Sequence, residues 1–379
     1  MPGPLEGVLV VDLTRVLAGP FATMMMADLG ARVIKVERPG TGDDSRGYGP
    51  YVEGRSMYFA RVNRGKESVA LDLKDPANRS VLDELVDRAD VLVENFRPGV
   101  MDRLGLGPET LRARNPGLVY CSISGFGQTG PLRGRQAYDT VVQAASGLMS
   151  VTGFPGGPPV KPGAPFGDLS AALYAFGAIC AALVDRHRTG RGARIDIAMF
   201  DCLVSLVEGA GLYWLADGTD PGPIGNAHYS ITPFDAFSAA DRQIIICAAN
   251  DELFGRLLAA MGREDLAEMP QYASNLSRTQ HRDLLKDELE GTLRKRQADD
   301  WLALLTRAGV PCGPISTIAE ALGSEQTEQR HMVVTVDGWR QPGNPMKSDR
   351  TQEPVGSGPA PDLDEQGAAL RREFGRPAQ

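Results

Sequence analysis

One carboxylate in this 379-residue chain is placed for chemistry. Asp168 follows the Gly/Pro-rich stretch Pro162-Gly-Ala-Pro-Phe-Gly and opens the apolar run Leu169-Ser-Ala-Ala. An aspartate there serves as the N-cap of a helix. It can also act as a carboxylate nucleophile, ionised at neutral pH without a general base and stabilised by the helix N-terminus. Position alone leaves both readings open. A second feature is the turn Leu13-Thr-Arg-Val-Leu-Ala-Gly-Pro20, between an apolar run and a helix. It aims backbone N–H groups at an anion or an oxyanion. Arg15, Arg38, Lys74, Arg97 and Arg103 fall at strand ends and in the loops after them. A parallel sheet binds ligands there, and such a set suits a polyphosphate such as CoA or a nucleotide. Glu37 is a candidate for a ribose hydroxyl, and Arg38 behind it for a phosphate.

Other sites are not expected. Gly125-Phe-Gly127-Gln-Thr-Gly130 matches G-x-G-x-x-G, but Pro131 follows at once and no amphipathic helix opens. The acid required roughly 20 residues further on is missing, since Asp139 comes too early. We therefore expect no NAD. His187, His228, His281 and His331 are isolated, which gives no metal site. There is no G-x-S-x-G elbow and no Walker A motif. Cys121, Cys180, Cys202, Cys247 and Cys312 lack CxxC spacing and imply neither zinc nor a disulfide framework.

The elements that must position these residues read as α/β. Short β-branched runs lie at 7–13, 31–37, 68–73, 90–95, 117–124 and 193–199, and helical patterns separate most of them. Pro20 to Leu29 reads as a helix stopped by Gly30. Strand, helix and strand in roughly 30 residues form a βαβ unit, and repetition builds a parallel sheet. Longer helices are expected at 169–188 and 200–216. Asp217-Gly-Thr-Asp-Pro-Gly-Pro-Ile-Gly225 breaks the pattern and reads as a linker. We expect a large domain over 1–216, a smaller α+β domain over 226–322 and a C-terminal segment over 323–379. The smaller domain would hold one strand at 243–248 and helices at 252–261, 280–293 and 298–308. The tail is Pro/Gly-rich through Pro354–Pro361 and ends in a short charged helix, Asp364–Phe374.

Composition narrows the class. The net charge is −8, which argues against a nucleic-acid scaffold. No run approaches the roughly 18 consecutive apolar residues of a membrane span, and the N-terminus lacks a basic start. A cytoplasmic protein with no membrane partner is expected.

Many segments in order carry a family resemblance. They are Val10-Val-Asp-Leu-Thr-Arg-Val-Leu-Ala-Gly-Pro20, Gly30-Ala-Arg-Val-Ile-Lys-Val-Glu-Arg-Pro-Gly40, Asn63-Arg-Gly-Lys-Glu-Ser, Glu94-Asn-Phe-Arg-Pro-Gly99, Ser124-Gly-Phe-Gly-Gln-Thr-Gly-Pro131, Ala137-Tyr-Asp139 and Gly167-Asp168. Over essentially its whole length the chain resembles the family III CoA-transferases. The resemblance assigns Asp168 as the catalytic aspartate. It implies a Rossmann-like large domain and an interlocked homodimer of two ring-shaped subunits. It implies CoA contacts at Val16, Leu17, Ala18, Arg38, Leu71, Asp72, Leu73, Lys74, Asn95, Phe96, Arg97, Arg103, Gln136, Ala137, Tyr138 and Asp139. Tyr48, Tyr138 and His228 are candidates for lining the acid's pocket.

The implied reaction moves CoA from acetyl- or formyl-CoA to a small dicarboxylate, with oxalate the first choice. It would pass through an anhydride and a thioester on Asp168, with CoA as co-substrate and no metal. The alternatives are a succinyl-CoA donor with an itaconate- or citramalate-like acceptor, and an α-methylacyl-CoA racemase. The racemase branch carries a histidine beside the aspartate matching Asp139, whereas here that residue is Tyr138. One of the two proton carriers of α-proton exchange is thereby missing. Leu17 stands where formyl-CoA transferases often have glutamine, and Gln136 where a lysine sometimes precedes Ala-Tyr. The stretch 225–237 lacks their run of glycines.

Overall fold

The computed structural model describes residues 3–350 and 358–375. Residues 354–357 of the Pro-rich tail lie outside that range. Six strands form one parallel sheet: β1 (Leu9–Asp12), β2 (Arg32–Glu37), β3 (Glu67–Ala70), β4 (Val91–Glu94), β5 (Val119–Ser124) and β6 (Arg194–Ala198). Their order is β3-β2-β1-β4-β5-β6. Chain direction across the sheet reverses between β1 and β4, which opens a crevice at their carboxyl ends. Each of the six candidate strand runs before residue 200 contributes to this sheet.

The strands are buried on both faces, so they read as near-continuous apolar runs. Alternate residues serve two cores. Val10 of β1 packs with Ala22 and Met26 of helix α1 (Ala18–Asp28) and with Ala172, Ala175 and Ile179 of helix α3 (Phe166–Thr189). Val11 packs on the other side with Leu82, Leu85, Leu370 and Phe374. Between α1 and α3 in the chain lies α2 (Asp139–Ala145), and after β6 comes α4 (Met199–Leu206). The described chain contains one helix, α3, long and apolar enough to cross a membrane by length and composition. This departs from the expectation that no such segment exists. The helix lays its small residues Ala171, Ala172 and Ala175 into the core instead.

The helix expected over 200–216 is two helices, α4 and α5 (Glu208–Asp217), interrupted at Val207. Val207 leaves helical geometry at ψ 60, and Gly209 and Gly211 weaken the next turn. Hydropathy periodicity does not register such a break.

The chain groups into two compact units. The larger holds 3–148, 161–207 and the described residues from 324 on; the smaller holds 149–160 and 208–323. The division falls at the α4–α5 break rather than in 217–225, so α5 belongs with the smaller unit. The smaller unit has an antiparallel sheet of β7 (Phe234–Ser238), β8 (Gln243–Cys247) and β9 (Cys312–Pro314), with β8 central. Only β8 was expected. Leu257, Leu285, Leu289, Trp301 and Leu305 pack against its Ile244 and Ile246.

The C-terminal helix α6 (Gly367–Phe374) returns to the larger unit. Leu370 and Phe374 are buried in its second core. Just before the helix, Asp364 Oδ1 accepts from Ala70 N and Gln366 Oε1 from Ser68 N. The open edge of β3 is thus covered by side chains, which blocks pairing with another strand.

Candidate active site

The turn after β1 is held by a buried polar network. The side chains of Asp12, Lys35 and Lys66 have no solvent exposure. Asp12 Oδ1 accepts from Thr14 N (2.8 Å), and Oδ2 from Thr23 Oγ1 (2.7 Å) and Lys66 Nζ (2.8 Å). Lys66 Nζ also donates to Pro20 O and Asn63 Oδ1. Lys35 Nζ donates to Thr14 O and pairs with Asp43 Oδ2, both at 2.8 Å. Burial pushes the Asp12 carboxyl up, but Lys66 and Lys35 outweigh it and hold the group well below the usual carboxylate range.

Val16 pays for this anchoring with a φ of 69, a region β-branched residues avoid. Such strain costs of order 1–3 kcal/mol and persists only where surroundings over-determine it. Here Val16 N donates to Asp43 Oδ1 (3.1 Å), while Arg15 N donates to Asn95 Oδ1 (3.0 Å) and Asn95 Nδ2 returns a bond to Arg15 O (2.8 Å). The strained turn leaves the N–H groups of Leu17 and Ala18 without acceptors among the described residues, at the open end of α1. Asn95→Ala is expected to free the turn and weaken CoA binding by about 1–2 kcal/mol with little change in melting temperature. Calorimetric titration of CoA checks this; unchanged affinity would contradict it.

Asp168 lines the same cleft as Leu17 and Ala18. It lies in the first turn of α3, but Pro165 is the N-cap and Asp139 does the capping. Asp139 Oδ1 accepts from Gly167 N (2.8 Å) and Asp168 N (3.3 Å). The Asp168 carboxylate therefore has no hydrogen-bond partner among the described residues and is free to react. Burial, and then the Asp139 charge, push its pKa up to about 7. The cleft holds about 180 Å³, and its wall includes Arg15, Asn95, Arg97, Gln136, Ala137 and Tyr138.

The raised pKa has a stability consequence. A carboxyl that is harder to ionise when folded penalises the native state as pH rises from about 4 to about 7, and fully above that. Asp168→Asn is expected to stabilise the protein by roughly 1–3 kcal/mol at pH 8 and by almost nothing at pH 4. Melting curves at the two pH values check this; equal gains at both would contradict it.

A second cleft, of about 470 Å³, shares Arg15 and Phe96 with the first. Its apolar wall is Leu13, Val36, Leu71, Leu73 and Leu104; Arg38, Asp72 and Lys74 add charge. The structure thus brings together nearly all the expected CoA contacts in two adjoining clefts. Arg103 lines neither; it is exposed on the short helix Val100–Arg103. Glu37 is not free for a ribose. It accepts from Arg46 Nη2 (2.7 Å), Ser68 Oγ (2.7 Å) and Asp43 N (2.9 Å). Tyr138 is 80% exposed and lines the first cleft. Tyr48 packs edge-on against Tyr58 at 5.7 Å. His228 lies in the smaller unit, its ring beside Phe234 and its Nδ1 accepting from Ser230 N.

Sequence reasoning missed Tyr58, Asp43, Arg133 and Arg135. Burial, and then the negative charge of Asp168, raise the Tyr58 pKa. Nothing in Ser56-Met-Tyr-Phe signals that interaction. Arg133 and Arg135 line the first cleft from the loop after Gly130. Their sequence signal is the pair of arginines in Leu132-Arg-Gly-Arg135. Among the described residues no group of three or more His, Cys, Asp or Glu could hold a metal.

A Rossmann-like sheet, an aspartate at a helix start without a partner among the described residues, and adjoining clefts lined by arginines fit the enzyme of CoA thioesters that the sequence resemblance implies. Comparison with known proteins makes the class specific. CoA-transferase family III matches residues 5–367. An acetyl-CoA:oxalate CoA-transferase of Acetobacter aceti is 50% identical over 376 residues, 99% of this chain and 97% of that one. A human succinyl-CoA:glutarate CoA-transferase is 41% identical, over 88% of this chain and 76% of that one. The crystal structure of a CaiB/BaiF family protein from Brucella suis superposes with a TM-score of 0.86 at 41% identity, covering 99% of this chain and all of that one. The chain belongs to the family III CoA-transferases, and it is a CoA-transferase acting on CoA thioesters and carboxylates.

Proposed function

We propose that the protein transfers CoA from acetyl-CoA to oxalate, with Asp168 as the nucleophile. The observation that carries this reading is the unpartnered Asp168 carboxylate in one cleft with the free N–H groups of Leu17 and Ala18. The 50% identity to an acetyl-CoA:oxalate CoA-transferase supports the choice of donor and acceptor. Formyl-CoA is the second choice of donor. Relatives at lower identity act with succinyl-CoA on glutarate, mesaconate or D-citramalate, and these are the competing pairs.

In this reading an Asp168 oxygen attacks the thioester carbonyl and the C–S bond breaks. An aspartyl–acyl anhydride and CoA thiolate result. The thiolate attacks the Asp168 carbonyl carbon, and the donor acid leaves with one Asp168 oxygen. The acceptor carboxylate then attacks the aspartyl-CoA thioester, the thiolate leaves, and it returns to the acceptor's carbonyl. Asp168 is regenerated with an oxygen from the acceptor. Each tetrahedral oxyanion needs donors already in place, which the Leu17 and Ala18 N–H groups supply at a helix N-terminus. Arg38, Lys74 and Arg97 suit the CoA phosphates, and the apolar wall of the second cleft suits the adenine. Tyr48, Tyr58 and Tyr138 suit the small acid.

We further propose an interlocked homodimer in the cytoplasm. Val184 and Leu173 on α3 are exposed, and so are Trp214 and Leu215 on α5, which supports their burial by a partner subunit. The test of function is a mass-spectrometric panel of acetyl-, formyl- and succinyl-CoA against oxalate, glutarate, mesaconate and citramalate. Fastest formation of oxalyl-CoA from acetyl-CoA is expected. A faster thioester of another acid would replace the acceptor, and no exchange with any acid would overturn the reading.

A further inference from the structure

Two residues outside the reacting groups are built around Asp168. Gln143 is fully buried. Its Nε2 donates to Asp139 Oδ2 at 2.5 Å, and Asp139 Oδ1 accepts from Gly167 N and Asp168 N. The other end of the Gln143 amide, Oε1, is buried without a partner among the described residues. An orphaned buried acceptor is costly, so a position that only filled the core would carry leucine or methionine. The contact that repays Gln143 is Asp139. Gly167 belongs to the same arrangement: a Cβ there would lie 2.9 Å from Asp139 Oδ1. Its missing side chain lets the carboxylate reach the helix start.

We propose that Gln143 and Asp139 form a positioning relay for Asp168, in which Gln143 locks the Asp139 carboxylate and Asp139 holds the first turn of α3 and keeps a fixed negative charge beside the nucleophile. The inference rests on Asp168 being the nucleophile. Its chemical logic is relief of repulsion. Free Asp168 carries a charge facing Asp139. When an Asp168 oxygen bonds to the acyl carbon, the C–S bond breaks and the charge departs on sulfur. The acylated aspartate is neutral, so the covalent state loses a repulsion that the resting state bears. The same charge makes Asp168 more basic and a stronger nucleophile.

The other groups around the site are Arg15, Arg97, Arg133 and Arg135 on the cleft wall and Tyr138 and Tyr58 beside it. On α4, packed against α2, the acid is Asp201, which is exposed.

Asp139→Asn separates charge from geometry. Gln143 can turn its amide so that Oε1 accepts from the new Asn Nδ2, while Asn Oδ1 still accepts from Gly167. Only the charge is lost. The measurements are the pH profile of transfer and the share of chains carrying covalent CoA at steady state, by intact mass. In Asp139→Asn the acid limb is expected to move down by about one pH unit and the plateau to fall roughly tenfold, with less covalent CoA. In Gln143→Leu, checked for folding by its melting curve, the plateau falls several-fold and the limb broadens. Gln143→Glu, which offers Asp139 no lasting donor, behaves likewise. Asp168→Ala separates the two layers of the argument. If it is inactive while Asp139→Asn keeps the wild-type limb and plateau, the relay is wrong. If Asp168→Ala still transfers CoA, the nucleophile assignment beneath the relay is wrong.

Discussion

Asp168→Ala is expected to lower transfer by about four orders of magnitude or more, the scale seen when a covalent nucleophile is removed. CoA affinity should stay near the wild-type value. The two parts of this prediction come from different places in the structure. The reacting carboxylate makes no hydrogen bond to another described side chain, so its loss leaves no partner stranded. The proposed CoA contacts instead lie on the β1–α1 turn, on 71–74 and on 95–97, and none of them is anchored by the Asp168 side chain. Asp139 caps α3 through the backbone N–H groups of Gly167 and Asp168, which alanine retains. A variant that binds CoA but does not transfer it is therefore the expected result. A variant that loses both would mean Asp168 is a structural residue.

The second large effect concerns folding. Asp12→Ala is expected to destabilise the protein by about 3–5 kcal/mol, because it leaves Lys66 buried without its ion-pair partner. Lys66 is fully buried, and its remaining contacts, Pro20 O and Asn63 Oδ1, are neutral. The same change frees Thr14, whose N–H is bonded to Asp12, and so loosens the turn that carries Val16 in its strained conformation. Stability and CoA affinity should fall together. Asp12→Asn should lose less, since a carboxamide still offers Lys66 an acceptor. Denaturant titration measures the stability loss. A loss below about 1 kcal/mol would mean the network is dispensable.

Much of the larger unit was legible because its strands are buried on both faces and bounded by Gly, Pro or Asn. Val10-Val-Asp12 and Val33-Ile-Lys-Val36 carry that signal strongly. The lysine within the second run was not a sign of an exposed face, since Lys35 is buried against Asp43 and Thr14. The smaller unit was less legible. Cys312-Gly-Pro314 forms a strand only because β8 supplies its hydrogen bonds, and three residues with Gly and Pro carry no β signature of their own. The α4–α5 break turns on one backbone angle at Val207.

The candidate site divides the same way. The sequence showed Asp168 at a helix start, and both readings of that position proved to be close. The capping carboxylate is Asp139, 29 residues away in the chain, and that leaves Asp168 unpartnered. Gln143 reaches Asp139 at i, i+4 spacing within α2, whereas Tyr58 lies far from Asp168 in the chain. Spacing cannot reveal the latter.

The central claim is that Asp168 is acylated and exchanges an oxygen with the substrate acid in each cycle. It is tested most directly by turnover with acetyl-CoA and 18O-labelled acceptor acid, oxalate first, followed by digestion and peptide mass spectrometry. After a single turnover the account predicts one 18O in the peptide bearing Asp168, and none elsewhere in the chain. Turnover that leaves Asp168 unlabelled, or labels a different carboxylate, would contradict it.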